Sequence, residues 1–252
     1  MYRILVIVPF PMAEEQLALR RAQAAKAGLP PGVELVFRPV RAAPANYSSA
    51  ADSALAEIGI IAAGAQAGDD GFDAVCIDTM SDSGMAALRA MLPIPVVGPG
   101  RVSMLTAAML GQRFTILMMW DRWRHLYTKT LAETGLGHRC ASMRDIGMTP
   151  DNRQLLAGKE DAVFPRLLAA ARAAVEEDGA EVILLGSTTM HQAHDYLAER
   201  LPVPVIDPGP LCYRTALTLL SLGLSHAPAA YPAPLAPLPG MFAAMAAAGR
   251  PK

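Results

Sequence analysis

Two short segments carry the side chains best able to do chemistry: "IDTMSDSG" at residues 77–84 and "LGSTTMHQAHD" at residues 185–195. The first offers Asp78, Thr79, Ser81 and Asp82; the second offers Ser187, Thr188, Thr189, His191 and His194. A hydroxyl is barely ionised near neutrality, so Thr79 or Ser187 needs a neighbouring base to act as a nucleophile. Asp78 is one candidate, because a carboxyl at a strand tip in a cleft can hold a raised pKa and serve as acid or base. A structural role is equally open to it, bonding backbone N–H groups of the next loop. His191 lies four residues beyond Ser187, about one turn if a helix starts at the serine. It could then polarise Ser187 or protonate a product. His191 and His194 are also spaced as two metal ligands on one face, but the sequence fixes no third ligand and no metal is assigned. Both Ser187 and Asp82 have a plainer reading, as N-caps of the helices they begin.

The elements that position these groups are legible as alternating apolar runs and helical patterns. "RILVIVP", "VELVFRPV", "DAVCID" and "PVVG" read as strands, separated by helices from about Glu14, over about residues 51–67 and from Ser83. A second round follows: strands "RFTILMM", "ASMRDIGM", "EVILLG" and "PVIDPG", with helices from Asp121, over 160–178 and after Ser187. Such alternation is the signature of an α/β parallel sheet.

The two rounds also match in letters. "LPIPVVGPG" at 92–100 echoes "LPVPVIDPG" at 201–209, and "GFDAVCIDTM" lines up with "DGAEVILLGST" so that Thr79 stands opposite Ser187. A duplicated unit of roughly one hundred residues, the size of a small domain, is the economical reading. It predicts two pseudosymmetric Rossmann-like lobes with parallel sheets: residues 1–100, completed by a helix at about 210–222, and residues 101–209. The Ala/Pro-rich stretch at 223–252 is expected to be an extended tail. Ligands in such folds sit beyond the carboxyl ends of the strands, where helix N-termini attract anions. Thr79 and Ser187 would then reach one small anionic ligand from opposite sides. Pro9, Phe10, Met80, Ser81, Thr188 and Thr189 would line the same cleft, joined by Trp120, the repeat counterpart of Phe10. Phe10 and Trp120 could sandwich a planar ring or merely pack the lobes together.

Composition excludes several classes. A net charge of −1 with scattered Lys and Arg argues against a nucleic-acid partner. No run of ~18 apolar residues suggests a spanning helix. The apolar start is too short for a secretory signal and reads as a strand. Cys76, Cys140 and Cys212 lie far apart without a CxxC pair, which makes a disulfide framework or a cysteine zinc site improbable. A reduced, cytoplasmic protein is expected.

From Tyr2 to about Leu222 the chain resembles the aspartate/glutamate racemase superfamily, and most closely its hydantoin racemase branch. The resemblance rests on "ILVIVP", "YSSAADSALAEIG", "GFDAVCIDTMSDSGM", "PVVGPG", "GLGHRCASMR", "EEDGAEVILLGSTTM" and "PVPVIDPG". It implies cofactor-independent proton transfer on a small carboxylate, an amino-acid derivative or a hydantoin-like cyclic amide, in a protein that assembles as a homo-oligomer. The family normally uses one cysteine from each lobe, thiols being easily tuned to act as a base and an acid near neutrality. Here Thr79 and Ser187 stand in those places. Cys76, Cys140 and Cys212 fall elsewhere and do not restore the pair. A further departure is Val8-Pro9-Phe10, where the family often has Asn-Pro-Asn. Three functions therefore stay open: a racemase, a lyase (decarboxylase) or hydrolase on the same scaffold, and a ligand-binding protein without turnover.

Overall fold

A computed structural model of the chain describes residues 1–151 and 158–249. The first sheet contains β1 (Tyr2–Val8), β2 (Val33–Pro39), β3 (Ala74–Ile77) and β4 (Val96–Val97), all parallel in the order β2-β1-β3-β4. The second repeats it with β5 (Phe114–Met118), β6 (Cys140–Asp145), β7 (Val182–Leu185) and β8 (Val205–Ile206), in the order β6-β5-β7-β8. The unbroken apolar runs of β3 and β7 are buried at every position, as a strand covered on both faces requires. The duplication read from the sequence is thus a duplication of topology.

Helices α1 (Glu14–Lys26), α2 (Ala50–Gly64) and α3 (Met85–Met91) cover the first sheet; α5 (Arg124–Thr134), α6 (Glu160–Glu176) and α7 (His194–Ala198) serve the second. The remaining two helices of the repeat change partners. Helix α4 (Pro99–Leu110) follows β4 but packs on β7 and α5, whereas α8 (Pro208–Ser221) follows β8 and packs on β3, β4 and α1. Cys212, Tyr213 and Ala216 of α8 therefore share a core with Ile4, Val6 and Cys76 of the first sheet. This exchange ties the halves together through apolar burial.

Two expectations need correction. Asp82 does not cap α3, whose N-cap is Gly84. Its carboxylate instead accepts the N–H groups of Gly100 (2.8 Å) and Arg101 (2.7 Å), capping α4 from across the loop. Asp82 adopts a left-handed φ of 49° to do so. A Cβ at Gly100 would stand 2.2 Å from the Met80 carbonyl oxygen, so the close approach of this loop to α4 depends on that glycine. The C-terminal stretch also differs from an extended tail: it ends in α9 (Pro239–Ala248), which packs on α2 and buries Ala246. Alanine is the strongest helix former and proline is favoured at the first helical position, so "PGMFAAMAAA" is a helix signal that the surrounding prolines obscured. Residues 250–252 of the tail lie outside the described residues. Among the described residues, no helix is long and apolar enough to cross a membrane.

Replacing Asp82 with alanine removes the acceptor of one buried and one part-buried N–H group and should lower unfolding stability by about 1–2 kcal/mol, measurable by urea denaturation.

Candidate active site

The carboxyl ends of β3 and β7 open into one cleft of about 380 Å³, its open mouth included. Thr79 and Ser187, each half-buried, both line it. So do Pro9, Phe10, Asp78, Met80 and Ser81 from the first half and Thr188 and Thr189 from the second. Neighbouring hydroxyls extend each side: Thr79 Oγ1 lies 3.2 Å from Ser81 Oγ, which lies 2.7 Å from Ser83 Oγ, while Ser187 Oγ lies 2.9 Å from Thr189 Oγ1. Ser187 also accepts the Thr189 N–H at 3.1 Å. It caps a 3₁₀ turn over Thr188–Ala193 and faces the cleft at the same time.

Beneath the cleft lies a residue that sequence reading missed. Arg20 of α1 has only 1% side-chain exposure, and its Nη1 donates to Asp78 Oδ2 (3.1 Å) and Thr188 Oγ1 (3.0 Å). Thr188 Oγ1 donates onward to the Asp78 carbonyl at 3.2 Å, and Gln23 Nε2 donates to the Thr188 carbonyl at 2.9 Å. One guanidinium thus joins the tip of β3 to the loop after β7. The signal lay in spacing: Leu17, Arg20 and Gln23 form a buried i, i+3, i+6 stripe on α1, and a cation on a core-facing stripe requires a partner. Among the described residues, Arg20 Nε and Asp78 Oδ1 have no hydrogen-bond partner. Burial raises the Asp78 pKa above the usual carboxylate range, while Arg20 and then Thr188 pull it down.

The rest of the lining is aromatic. Tyr47 donates to the Pro9 carbonyl (2.8 Å) and stacks at a tilt on Phe10, 5.1 Å between ring centres. Tyr127 donates to the Gly186 carbonyl (2.6 Å). Burial lifts both phenols far above their ordinary pKa, so they act as fixed donors. Trp123 also lines the cleft, and its Nε1 donates to Asn46 Oδ1 of the first half at 3.2 Å. Trp120, the expected aromatic, does not line the cleft; it packs on the second-half core with Arg122 over its ring. A second, wider recess of about 740 Å³, its open mouth included, shares Ser81 and Leu126 with the cleft.

His191 is the other correction. The segment after Ser187 is 3₁₀ rather than α-helical, and with 3.0 residues per turn the position that eclipses Ser187 is Met190. His191 is not among the residues lining the cleft; it is 6% exposed, and its Nδ1 has no partner among the described residues. Burial, then Lys26 and Arg20, push its pKa down to about 4. His194 faces Asp195 Oδ1 and the Val205 carbonyl, and the described residues contain no cluster of three metal-ligating groups. None of the cysteines lines the cleft. Cys76 and Cys212 are buried in the first-half core, and Cys140 sits on β6, where burial lifts its thiol to about 11.

The profile of the family described as Asp/Glu/Hydantoin racemase matches residues 9–216. The chain belongs to that family. The hydantoin racemase of Pseudomonas sp. (strain NS671) is 31% identical over 202 residues, 79% of each chain. Among solved structures, the allantoin racemase from Klebsiella pneumoniae superposes with a TM-score of 0.84 at 26% identity, over 94% of this chain and 95% of that one. The allantoin racemase of Pseudomonas fluorescens gives 0.83 at 30% identity, over 93% and 98%. The racemase-family fold, with its two facing strand tips, is therefore the frame in which this hydroxyl-lined cleft sits.

Two measurements check these assignments. Arg20→Met leaves a buried carboxylate unpaired and should cost about 3–5 kcal/mol; adding Asp78→Asn should recover much of that loss in the same denaturation assay. His191 is held neutral in the fold, so below pH 6.5 the unfolded chain takes up the proton first and stability falls as pH drops toward 4. His191→Gln should remove that slope, worth up to about 3 kcal/mol. Asp82 and Asp207, lifted to about 6 by burial, act in the opposite sense in both proteins and cancel in the comparison.

Proposed function

We propose that the protein is a cofactor-independent isomerase acting on a hydantoin-like cyclic amide or a small amino-acid-derived carboxylate, with Thr79 and Ser187 in the places of the usual thiols. The observation that carries this reading is their common cleft: equivalent strand tips bring one hydroxyl to each side of a space with a buried guanidinium beneath it. Removing the proton from the carbon between the ring nitrogen and the carbonyl sends the electron pair onto the carbonyl oxygen. In a cleft shielded from water, Arg20 and the surrounding hydroxyls stabilise that developing charge far better than solvent would. Return of a proton to the opposite face gives the other enantiomer. Hydroxyls cannot be the ultimate base. In this reading Asp78, the carboxyl group on the cleft wall, takes up the proton on one face, while Ser187 on the other face gives its hydroxyl proton to the carbon and is reprotonated from solvent. Pro9, Phe10 and Met80 supply the apolar contacts for the ring, with Thr188 and Thr189 as polar ones.

One observation favours a second reading. The repeat counterpart of Asp78 is Gly186, where a Cβ would lie 2.7 Å from the Leu117 carbonyl oxygen and 2.9 Å from the Tyr127 hydroxyl. Packing thus confines the acid to one side. Loss of CO₂ from a substituted malonate needs a single proton donor on the resulting enolate, which suits a one-sided site better than racemisation does.

Incubating the protein with a single enantiomer of a 5-substituted hydantoin in D₂O separates the two. The first reading expects deuterium at the chiral carbon and loss of optical activity, slowed at least ~100-fold in Thr79→Ala and in Ser187→Ala. Exchange no faster than in buffer, with CO₂ released from an arylmalonate, transfers the assignment to the lyase. Full activity of both alanine variants overturns both.

A further inference from the structure

The cleft has a neighbour on its Ser81 side. Ser81 and Leu126 form a wall of the cleft and also of the second recess, which lies between α2 and α5, one helix from each half. A substituent that leaves the cleft past these two side chains therefore enters the recess. Helix α2 lines it with Ala50, Ser53, Ala54 and Glu57, a spacing of i, i+3, i+4 and i+7 that puts all four on one helix face. Helix α5 lines it with His125 and Lys129, one turn apart. The α2 face is small except at Glu57, so the width of the recess is set by two alanines and a serine.

The polar groups on these walls differ in how far they are committed. Lys129 Nζ lies 3.1 Å from Glu133 Oε1, whose other oxygen faces Arg101 Nη2 at 3.4 Å. His125 lies against the Arg122 carbonyl at 2.9 Å and Ser53 Oγ at 3.4 Å, the latter contact bridging the two helices. Glu57 has neither a hydrogen bond nor an ion pair among the described residues. It is half-buried, and neither of its carboxylate oxygens is closed off from solvent. Its charge is the one on the recess wall left open to a guest, among the described residues.

We infer that this recess is a distal subsite of the cleft, which receives the substituent of the substrate ring, and that Glu57 selects substituents ending in an ammonium or guanidinium group. The inference rests on the reading above that the cleft holds a hydantoin-like ring. Leu126, Ala50 and Ala54 supply the apolar surface for the stem of the substituent, as they would for a lysine-like chain that keeps only its charged end in water.

The test is calorimetric titration of the full-length protein with racemic 5-(4-aminobutyl)hydantoin, 5-pentylhydantoin and 5-(3-carboxypropyl)hydantoin; racemates give no heat of racemisation. The amine should bind about fivefold tighter than the pentyl compound of equal length, the size of a partly exposed ion pair, and the carboxylate should bind more weakly than either. Glu57→Gln should erase the preference for the amine over the pentyl compound. Ala54→Phe, which narrows the recess, should weaken all three at least about tenfold relative to 5-methylhydantoin, whose substituent stays in the cleft. Deuterium exchange in the same samples separates this inference from the isomerase reading: a binding preference without exchange overturns that reading alone. Equal binding of amine and pentyl compounds, tighter binding of the carboxylate, a preference that survives Glu57→Gln, undiminished binding in Ala54→Phe, or no saturable binding at all would overturn the subsite.

Discussion

The arrangement depends on one buried ion pair. Arg20 and Asp78 have side-chain exposures of 1% and 0%, and they bond across the seam between the two halves by way of Thr188. Such a pair gains little net stability over well-packed apolar groups, yet losing either partner is expensive. Its value here is positional. The pair ties the tip of β3 to the loop after β7, the two segments that carry Thr79 and Ser187.

The duplication supplies symmetry, and local chemistry then breaks it. Helices α4 and α8 exchange sheets in the same manner, so both halves bury their core across the seam. Within this frame the acidic positions differ between the two copies. Asp78 is matched by Gly186, where the Leu117 carbonyl and Tyr127 leave no room for a side chain. Asp82 accepts two N–H groups of α4, while at the start of α8 Pro210 takes the place of Arg101 and leaves one donor fewer. The two-fold scaffold thus carries an acid at one strand tip and none at the other.

Much of this was legible from the chain. The strands, their order of appearance and the repeat that pairs Thr79 with Ser187 follow from apolar periodicity and from the paired "LPIPVVGPG" and "LPVPVIDPG" segments. What escaped depends on rotation and on tertiary partners. Arg20 looked like one of many scattered cations, because its burial is decided by a stripe that only the fold fills. His191 was misplaced by assuming α-helical spacing where the chain takes a 3₁₀ turn. Trp120 gave way to Trp123 for a related reason: a short 3₁₀ turn over Asp121–Trp123 precedes α5 and selects which indole faces inward. Helix α9 was hidden by prolines that flank rather than interrupt it.

The central claim, that two hydroxyls from duplicated strand tips grip one guest above a buried guanidinium, is tested most directly by a crystal structure with a 5-substituted hydantoin or small dicarboxylate bound. The account predicts the ligand in the cleft, Thr79 Oγ1 and Ser187 Oγ on opposite faces of its reacting carbon, and Arg20 within hydrogen-bond reach of its oxygen. A ligand bound elsewhere, or touching one hydroxyl while the other points into a different environment, would contradict it.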